Sequence, residues 1–123
     1  MVTLLLVSVL GGIGAMMRFL LDGVVTRFTS PRFPLGTLLI NLAGSLLLGL
    51  VTGLTAHRVL PERWLVAVGV GLLGGFTTFS TASFETVRLM QQRRPAAALV
   101  QALGMLLGTT ALAGLGLWTG SRL

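Results

Sequence analysis

Long apolar runs separated by short polar connections dominate the hydrophobic pattern of this chain. Four runs are long enough to cross a membrane, at about residues 2–21, 35–56, 64–90 and 96–118. A hydrocarbon core of about 30 Å needs about 20 apolar residues in a helix. All prolines and most charged residues fall in the connections between the runs. The pattern therefore predicts an all-α membrane protein in which residues 1–123 form a single domain of four transmembrane helices.

The third run contains an interruption, the glycine–hydroxyl segment at residues 74–81, which reads Gly-Gly-Phe-Thr-Thr-Phe-Ser-Thr. Adjacent glycines and clustered hydroxyl side chains are unfavourable in the middle of a continuous helix. A break at membrane depth is tolerated only where the released backbone groups face protein or a water-filled cavity. We therefore expect a break in the third helix, with N–H groups and carbonyls that can bind ions.

The composition supports a membrane protein and excludes several other classes. Only 10% of the residues are charged, against about 25% in soluble domains, and the mean hydropathy is +0.93. The net charge of +6 comes from arginines scattered between apolar runs, which indicates juxtamembrane positions rather than binding of nucleic acid. The absence of cysteine excludes disulfides, and His57 has no catalytic partner nearby in sequence. The sequence therefore predicts that the chain is not an enzyme.

A few polar side chains lie inside the apolar runs, where they are costly and often functional. Asn41 lies about a third of the way along the second run, with Thr37 one turn earlier on the same face. Its amide either forms an interhelical hydrogen bond or coordinates an ion. Arg18 lies near the end of the first run, where its side chain either extends to the interface or pairs with buried carbonyls near a vestibule.

The arginines differ in number between the two sides of the membrane. Four spans place both termini on one side, and the larger number of arginines on the opposite side favours both termini outside the cytoplasm. The difference is small, so insertion in both orientations stays open. Arg58, Arg63 and Arg122 lie on the side of the termini, and Arg27, Arg32, Arg88, Arg93 and Arg94 lie on the opposite side.

Three blocks of sequence carry a resemblance to a known family. They are Gly-Gly-x-Gly-Ala-x-x-Arg at 11–18, Gly-Thr-Leu-x-x-Asn-x-x-Gly at 36–44, and the glycine–hydroxyl segment at 74–81. With these blocks the whole chain resembles the Fluc (CrcB-type) fluoride channels. The resemblance implies passive export of cytoplasmic fluoride, which protects against its toxicity, by a multi-pass protein of the inner (plasma) membrane. It also implies an antiparallel dimer, in contact with lipid, with two fluoride pathways and a structural sodium ion at its centre.

The resemblance also implies a role for individual residues. The sodium ion would be held by backbone carbonyls, which on this chain are those of Gly74 and Thr77. Arg18 would line the vestibule. The implied fluoride pathway consists of Asn41 as an N–H donor, Phe79 through its ring edge, Ser80 and Thr81 as hydroxyl donors, and Thr37 on the same face as Asn41.

Two positions depart from the family pattern. Ala82 stands where a second pore phenylalanine is common, and Gly104 stands where a pore-lining serine is usual. These departures favour an alternative, a non-conducting or half-conducting subunit paired with a related chain in a heterodimer, so homodimer and heterodimer both stay open. A further alternative is a small dual-topology multidrug exporter. Such a protein would have a membrane-embedded glutamate in its first helix, and residues 2–21 contain none.

Overall fold

Four long helices make up almost the whole protein in the computed structural model, which describes residues 1–123. We call them the first to fourth spans; they are Val2–Phe28, Leu35–Ala56, Glu62–Gln91 and Pro95–Arg122. Each is long and apolar enough to cross a membrane. The structure thus confirms the predicted all-α fold with four membrane-spanning helices.

The first span is longer than its apolar run predicts. The run ends near residue 21, but the helix continues through Asp22 and ends at Phe28. A fall in hydropathy marks the edge of the hydrocarbon, whereas a helix ends where its backbone hydrogen bonding ends. Here the chain becomes extended at Thr29, which has φ −126° and ψ 162°. The helix therefore extends beyond the apolar run, and Asp22 lies on a helix.

The helical path of the third span is interrupted near its middle. Residues 65–73 have the wider hydrogen bonding of a π-helix, and a short α-helical turn follows and ends at Phe76. Residues 77–79, which we call the break, are not helical, and Thr77 is extended with ψ 161°. A helix resumes at Ser80 and runs to Gln91. The break lies within the glycine–hydroxyl segment.

Glycines allow the spans to approach one another closely. The second and fourth spans pack along most of their length, and a methyl group added at Gly49 would overlap the carbonyl of Ala113. On the other side, a methyl group at Gly75 would overlap the carbonyl of Gly11 and separate the third span from the first. Lipid tails are as apolar as the side chains, so the hydrophobic effect does not drive helices together inside a bilayer. Close packing of helix backbones, as seen here, stabilises their association instead.

Few side chains are buried within the chain. The largest buried hydrophobic cluster consists of Ile40, Leu73 and Phe76, which lie where the second and third spans cross. Large apolar residues cover the outside, including Leu106 and Leu107, which are 63% and 64% exposed. Such an apolar exterior suits the hydrocarbon core of a membrane.

Candidate functional site

Asn41 joins the second span to the break through a reciprocal pair of hydrogen bonds. Its Nδ2 donates to the carbonyl oxygen of Thr78 at 2.7 Å, and the backbone N–H of Thr78 donates to its Oδ1 at 2.8 Å. Nδ2 also lies 3.2 Å from the sulfur of Met105 on the fourth span. Both Asn41 and Thr78 are buried. Of the two roles expected for Asn41, the interhelical hydrogen bond is thus present within the chain.

The hydrogen bonds at the break release backbone carbonyls from the helix. In a continuous helix the N–H of Thr78 would donate to the carbonyl of Gly74, and the N–H of Thr81 to that of Thr77. Instead, Thr78 donates to Asn41, and the N–H of Thr81 donates to Oγ1 of Thr78 at 3.2 Å. The carbonyls of Gly74 and Thr77 therefore lose these helical donors.

Arg18 reaches the break from the first span. Its Nη1 donates to the carbonyl oxygen of Thr77 at 3.4 Å, and its side chain is half-buried. Arg18 thus contacts a partly buried backbone carbonyl in this structure. The contact is long for a charge-assisted hydrogen bond, which is usually about 2.7–2.9 Å, so the carbonyl can still take another partner.

A cluster of hydroxyl groups follows the break. Oγ1 of Thr78 donates to Oγ1 of Thr81 at 3.1 Å and lies 3.4 Å from Oγ of Ser80. Ser80 and Thr81 are exposed on the surface of the chain. Sequence reasoning did not select Thr78, although its neighbours were selected, because its linking position depends on the break and on Asn41.

Two hollows flank the break, and their linings include every expected site residue except Ser80. The first, which we call the break cleft, has a volume of about 270 Å³, and Asn41, Gly74, Thr77, Thr78 and Phe79 are among its lining residues. The second, the arginine cavity, has a volume of about 340 Å³, and its lining includes Arg18, Phe19, Asp22, Thr37, Thr78 and Thr81. Thr78 lines both hollows, so the break forms part of the wall between them.

Phe79 lies on the outer surface of the chain, with 88% of it exposed. It lines the break cleft and an adjoining cleft of about 480 Å³, together with Ala82 and Met105. The small side chain of Ala82, at the position where the family commonly has phenylalanine, leaves this space open. Phe84 is also exposed but lines neither cleft. A Cβ atom added at Gly104 would lie 3.9 Å from Cδ1 of Leu38.

A second polar cluster connects the second, third and fourth spans. Oγ1 of Thr37 donates to Oε1 of Glu85 at 2.8 Å, and Nε2 of Gln101 donates to Oε2 of Glu85 at 3.5 Å. Gln101 is fully buried, and its Oε1 has no partner. Thr37 was among the expected residues, whereas Glu85 and Gln101 were not. The sequence contained an indication of Gln101, because it is an uncharged polar residue within the fourth apolar run.

Comparison with known proteins places the chain in one family. Residues 5–119 match the sequence profile of the CrcB-like proteins, described as camphor resistance (CrcB). The fluoride-specific ion channel FluC 1 of Leifsonia xyli is 51% identical over 94% of this chain and 85% of its own length. FluC 2 of Cutibacterium acnes is 45% identical over 98% of both chains. FluC of Geobacter metallireducens is 36% identical over the full length of both.

These matches extend from the first span to the end of the fourth, and the relatives are named as ion channels rather than as enzymes. Four helices able to span a membrane agree with a multi-pass membrane protein, which in bacteria lies in the inner membrane. On the extent and identity of these matches, the chain belongs to the CrcB-like family of membrane channels.

Proposed function

We propose that this chain is a subunit of a fluoride-specific channel that exports cytoplasmic fluoride passively. Relatives that share up to 51% identity with it over most of its length are named fluoride-specific ion channels. The structural observation that carries the proposal is the break, which Asn41 holds open through Thr78. Fluoride enters cells as neutral HF and dissociates inside, so a pore that lets the anion run down its gradient lowers its concentration.

Donors for fluoride lie on both sides of the break. A small anion must exchange its hydration shell for hydrogen-bond donors, and the hydroxyls of Ser80 and Thr81 are exposed. The ring of Phe79 can offer its positive edge to the anion. One N–H of Asn41 is held only by the weakly accepting sulfur of Met105, so it can turn to fluoride.

Thr37 and Arg18 extend the proposed pathway on the side of the arginine cavity. Both line that cavity together with Thr81. The positive charge of Arg18 would attract an anion into the cavity, since a hollow with low-dielectric walls focuses the field of a charge. The Thr37 hydroxyl, which donates to Glu85, would be a further polar group along the proposed pathway.

The proposed sodium ion fits the carbonyls of Gly74 and Thr77, which are among those released at the break. Carbonyl oxygens are hard ligands suited to such cations, and the structure contains no cluster of three or more His, Cys, Asp or Glu side chains that would serve instead. Hard cations usually take about six or more oxygen ligands, so the carbonyls of Gly74 and Thr77 are too few. Gly74 is exposed on the chain's surface, where a second copy could add its own carbonyls. This requirement supports a dimer, in which the ion would hold the two breaks in place; that the two copies are antiparallel is part of the proposal.

Fluoride efflux from liposomes tests the proposed function. We expect the purified chain to release fluoride much faster than chloride, as measured with ion-selective electrodes. Phe79→Ala should slow fluoride efflux about tenfold, the effect of losing an aromatic contact of about 1.4 kcal/mol. Phe84→Ala is the matched control, because that ring is exposed but lies outside both clefts. Unchanged efflux in both Phe79→Ala and Asn41→Asp would remove the assignment of these residues to the pathway.

Thermal unfolding in detergent tests the sodium ion separately from transport. Sodium that binds only the folded dimer at a hundred times its Kd stabilises it by about 2.7 kcal/mol. Replacing sodium by N-methylglucamine should therefore lower the Tm by several degrees, and potassium at equal concentration controls for ionic strength. Equal Tm values in all three cations would contradict a structural sodium ion.

A second candidate function is a half-conducting subunit of a heterodimer. Ala82, which is buried and lines both clefts beside Phe79, favours this candidate because no second ring is present there. On this alternative the chain alone would give no efflux, and a related chain would copurify with it in equal amount. Robust efflux from the purified single chain would exclude an obligate pair.

A further inference from the structure

Asp22 lies one helical turn after Arg18 on the first span. Residues four apart on a helix share a face, and both side chains line the arginine cavity. Asp22 is the only acidic residue among those lining it. A carboxylate is unexpected in a hollow that, on the proposed function, admits an anion.

The two charges lie against different parts of the chain. Arg18 turns to the break, where it donates to the carbonyl of Thr77. The Oδ1 of Asp22 lies against Gly36 in the first turn of the second span, so closely that a methyl group at Gly36 would overlap it. First-turn N–H groups lack helical acceptors, and a negative charge beside them is favourable. Asp22 therefore lies beside the N-terminal end of the second span, whereas Arg18 contacts the break.

This arrangement offsets part of the positive potential that draws anions to the break. The Arg18 guanidinium and the N-terminal end of the second span both favour an anion in the arginine cavity. The Asp22 carboxylate contributes one negative charge at the same place, and it already occupies the space beside Gly36. An anion that approaches through this cavity therefore meets a fixed charge of its own sign.

We propose that the negative charge of Asp22 in the arginine cavity slows the access of fluoride to the break. This inference rests on the proposed function, because it assumes that fluoride passes through the cavity. Asp22 does not need to bind fluoride. It acts through the potential that the anion experiences, so its effect must depend on ionic strength.

Fluoride efflux at two ionic strengths tests this role. Asp22→Asn removes the charge with almost no change in shape, and we expect efflux about three- to tenfold faster at 10 mM salt, roughly the effect of one nearby charge. The Debye length falls from about 30 Å at 0.01 M to about 8 Å at 0.15 M, so the ratio of variant to wild type should shrink at 150 mM salt of an impermeant anion. Asp22→Glu retains the charge and should not reproduce the acceleration. Glu62→Gln is the matched control, because it neutralises an acidic residue outside the cavity.

Three outcomes decide the matter. Faster efflux from Asp22→Asn that declines with added salt supports the proposal. If Asp22→Asn gives equal or slower efflux while wild-type liposomes release fluoride well above empty ones, the role of Asp22 alone is overturned. If the asparagine variant does not fold, Asp22→Ser, which also lacks the charge, replaces it in the test. No efflux from folded wild-type protein overturns the proposed function and the role of Asp22 with it.

Discussion

Replacement of Asn41 by alanine should destabilise the protein at the break. The substitution leaves both backbone groups of Thr78 without the partners that lie 2.7 and 2.8 Å away. Each buried polar group left unpaired costs about 1–3 kcal/mol, which sets an upper range of roughly 2–6 kcal/mol. The N–H of Thr78 could return to the carbonyl of Gly74 and recover part of this loss. Interhelical hydrogen bonds measured in membranes also average only about 0.6 kcal/mol.

We therefore expect a loss of about 2–3 kcal/mol in the free energy of unfolding for Asn41→Ala. For a chain of this size this loss lowers the Tm by about 10 °C. The measurement is thermal unfolding in detergent, together with hydrogen exchange of the Thr78 amide. Thr52→Ala is the control on the same helix, because its hydroxyl only bonds back to the carbonyl of Leu48 at 2.7 Å. That variant should unfold within about 2 °C of wild type.

The outcome that would refute this reasoning is specific. If Asn41→Ala unfolds at the same temperature as Thr52→Ala and the Thr78 amide keeps its slow exchange, the reciprocal hydrogen bonds do not hold the break. A fall in Tm with faster exchange at Thr78 supports them. A small fall in Tm with slower exchange would indicate that the third span has become continuous through Gly74.

Two further predictions concern packing between the spans. Gly116→Ala should lower the Tm by about 5–10 °C, since the added methyl group overlaps the carbonyl of Leu46 and overpacking costs about 1–3 kcal/mol. Gly114→Ala is the control, because the added methyl group meets nothing within 4 Å, and it should be neutral or stabilising. Gln101→Met should change stability by less than about 1 kcal/mol, because it removes a buried acceptor without a partner along with a weak 3.5 Å bond to Glu85. Thermal unfolding measures both, and a large loss for Gln101→Met would mean that Oε1 has a partner, such as water, in the membrane.

Hydropathy predicted the number of spans well and their ends less well. Each span exceeds the length that the hydrocarbon requires, so four runs of apolar residues are visible without any tertiary contact. The apolar run ends near residue 21, whereas the helix ends at Phe28, because polar residues such as Asp22 remain helical outside the hydrocarbon. This extension matters, since it places Asp22 on the same helical face as Arg18.

Local composition also indicated where the third span is interrupted, but not how the interruption is held. Gly74 and the hydroxyl residues after it are poor helix formers, a property each residue carries by itself. The interhelical hydrogen bond of Asn41 depended on Thr78, which lies 37 positions further along the chain. A contact between distant positions leaves no mark in the local pattern of either one.

By itself, the sequence determined the membrane class, the four helices and the region of the break, because hydropathy and helix propensity depend on neighbouring residues. Only the tertiary structure decided that Asn41 replaces the helical partners of Thr78, that two hollows lie on either side of the break, and that Asp22 lies against Gly36. Each of these depends on which helix faces which and at what distance. Close packing at glycines sets those distances, since a single added methyl group at Gly75 or Gly49 would push two spans apart.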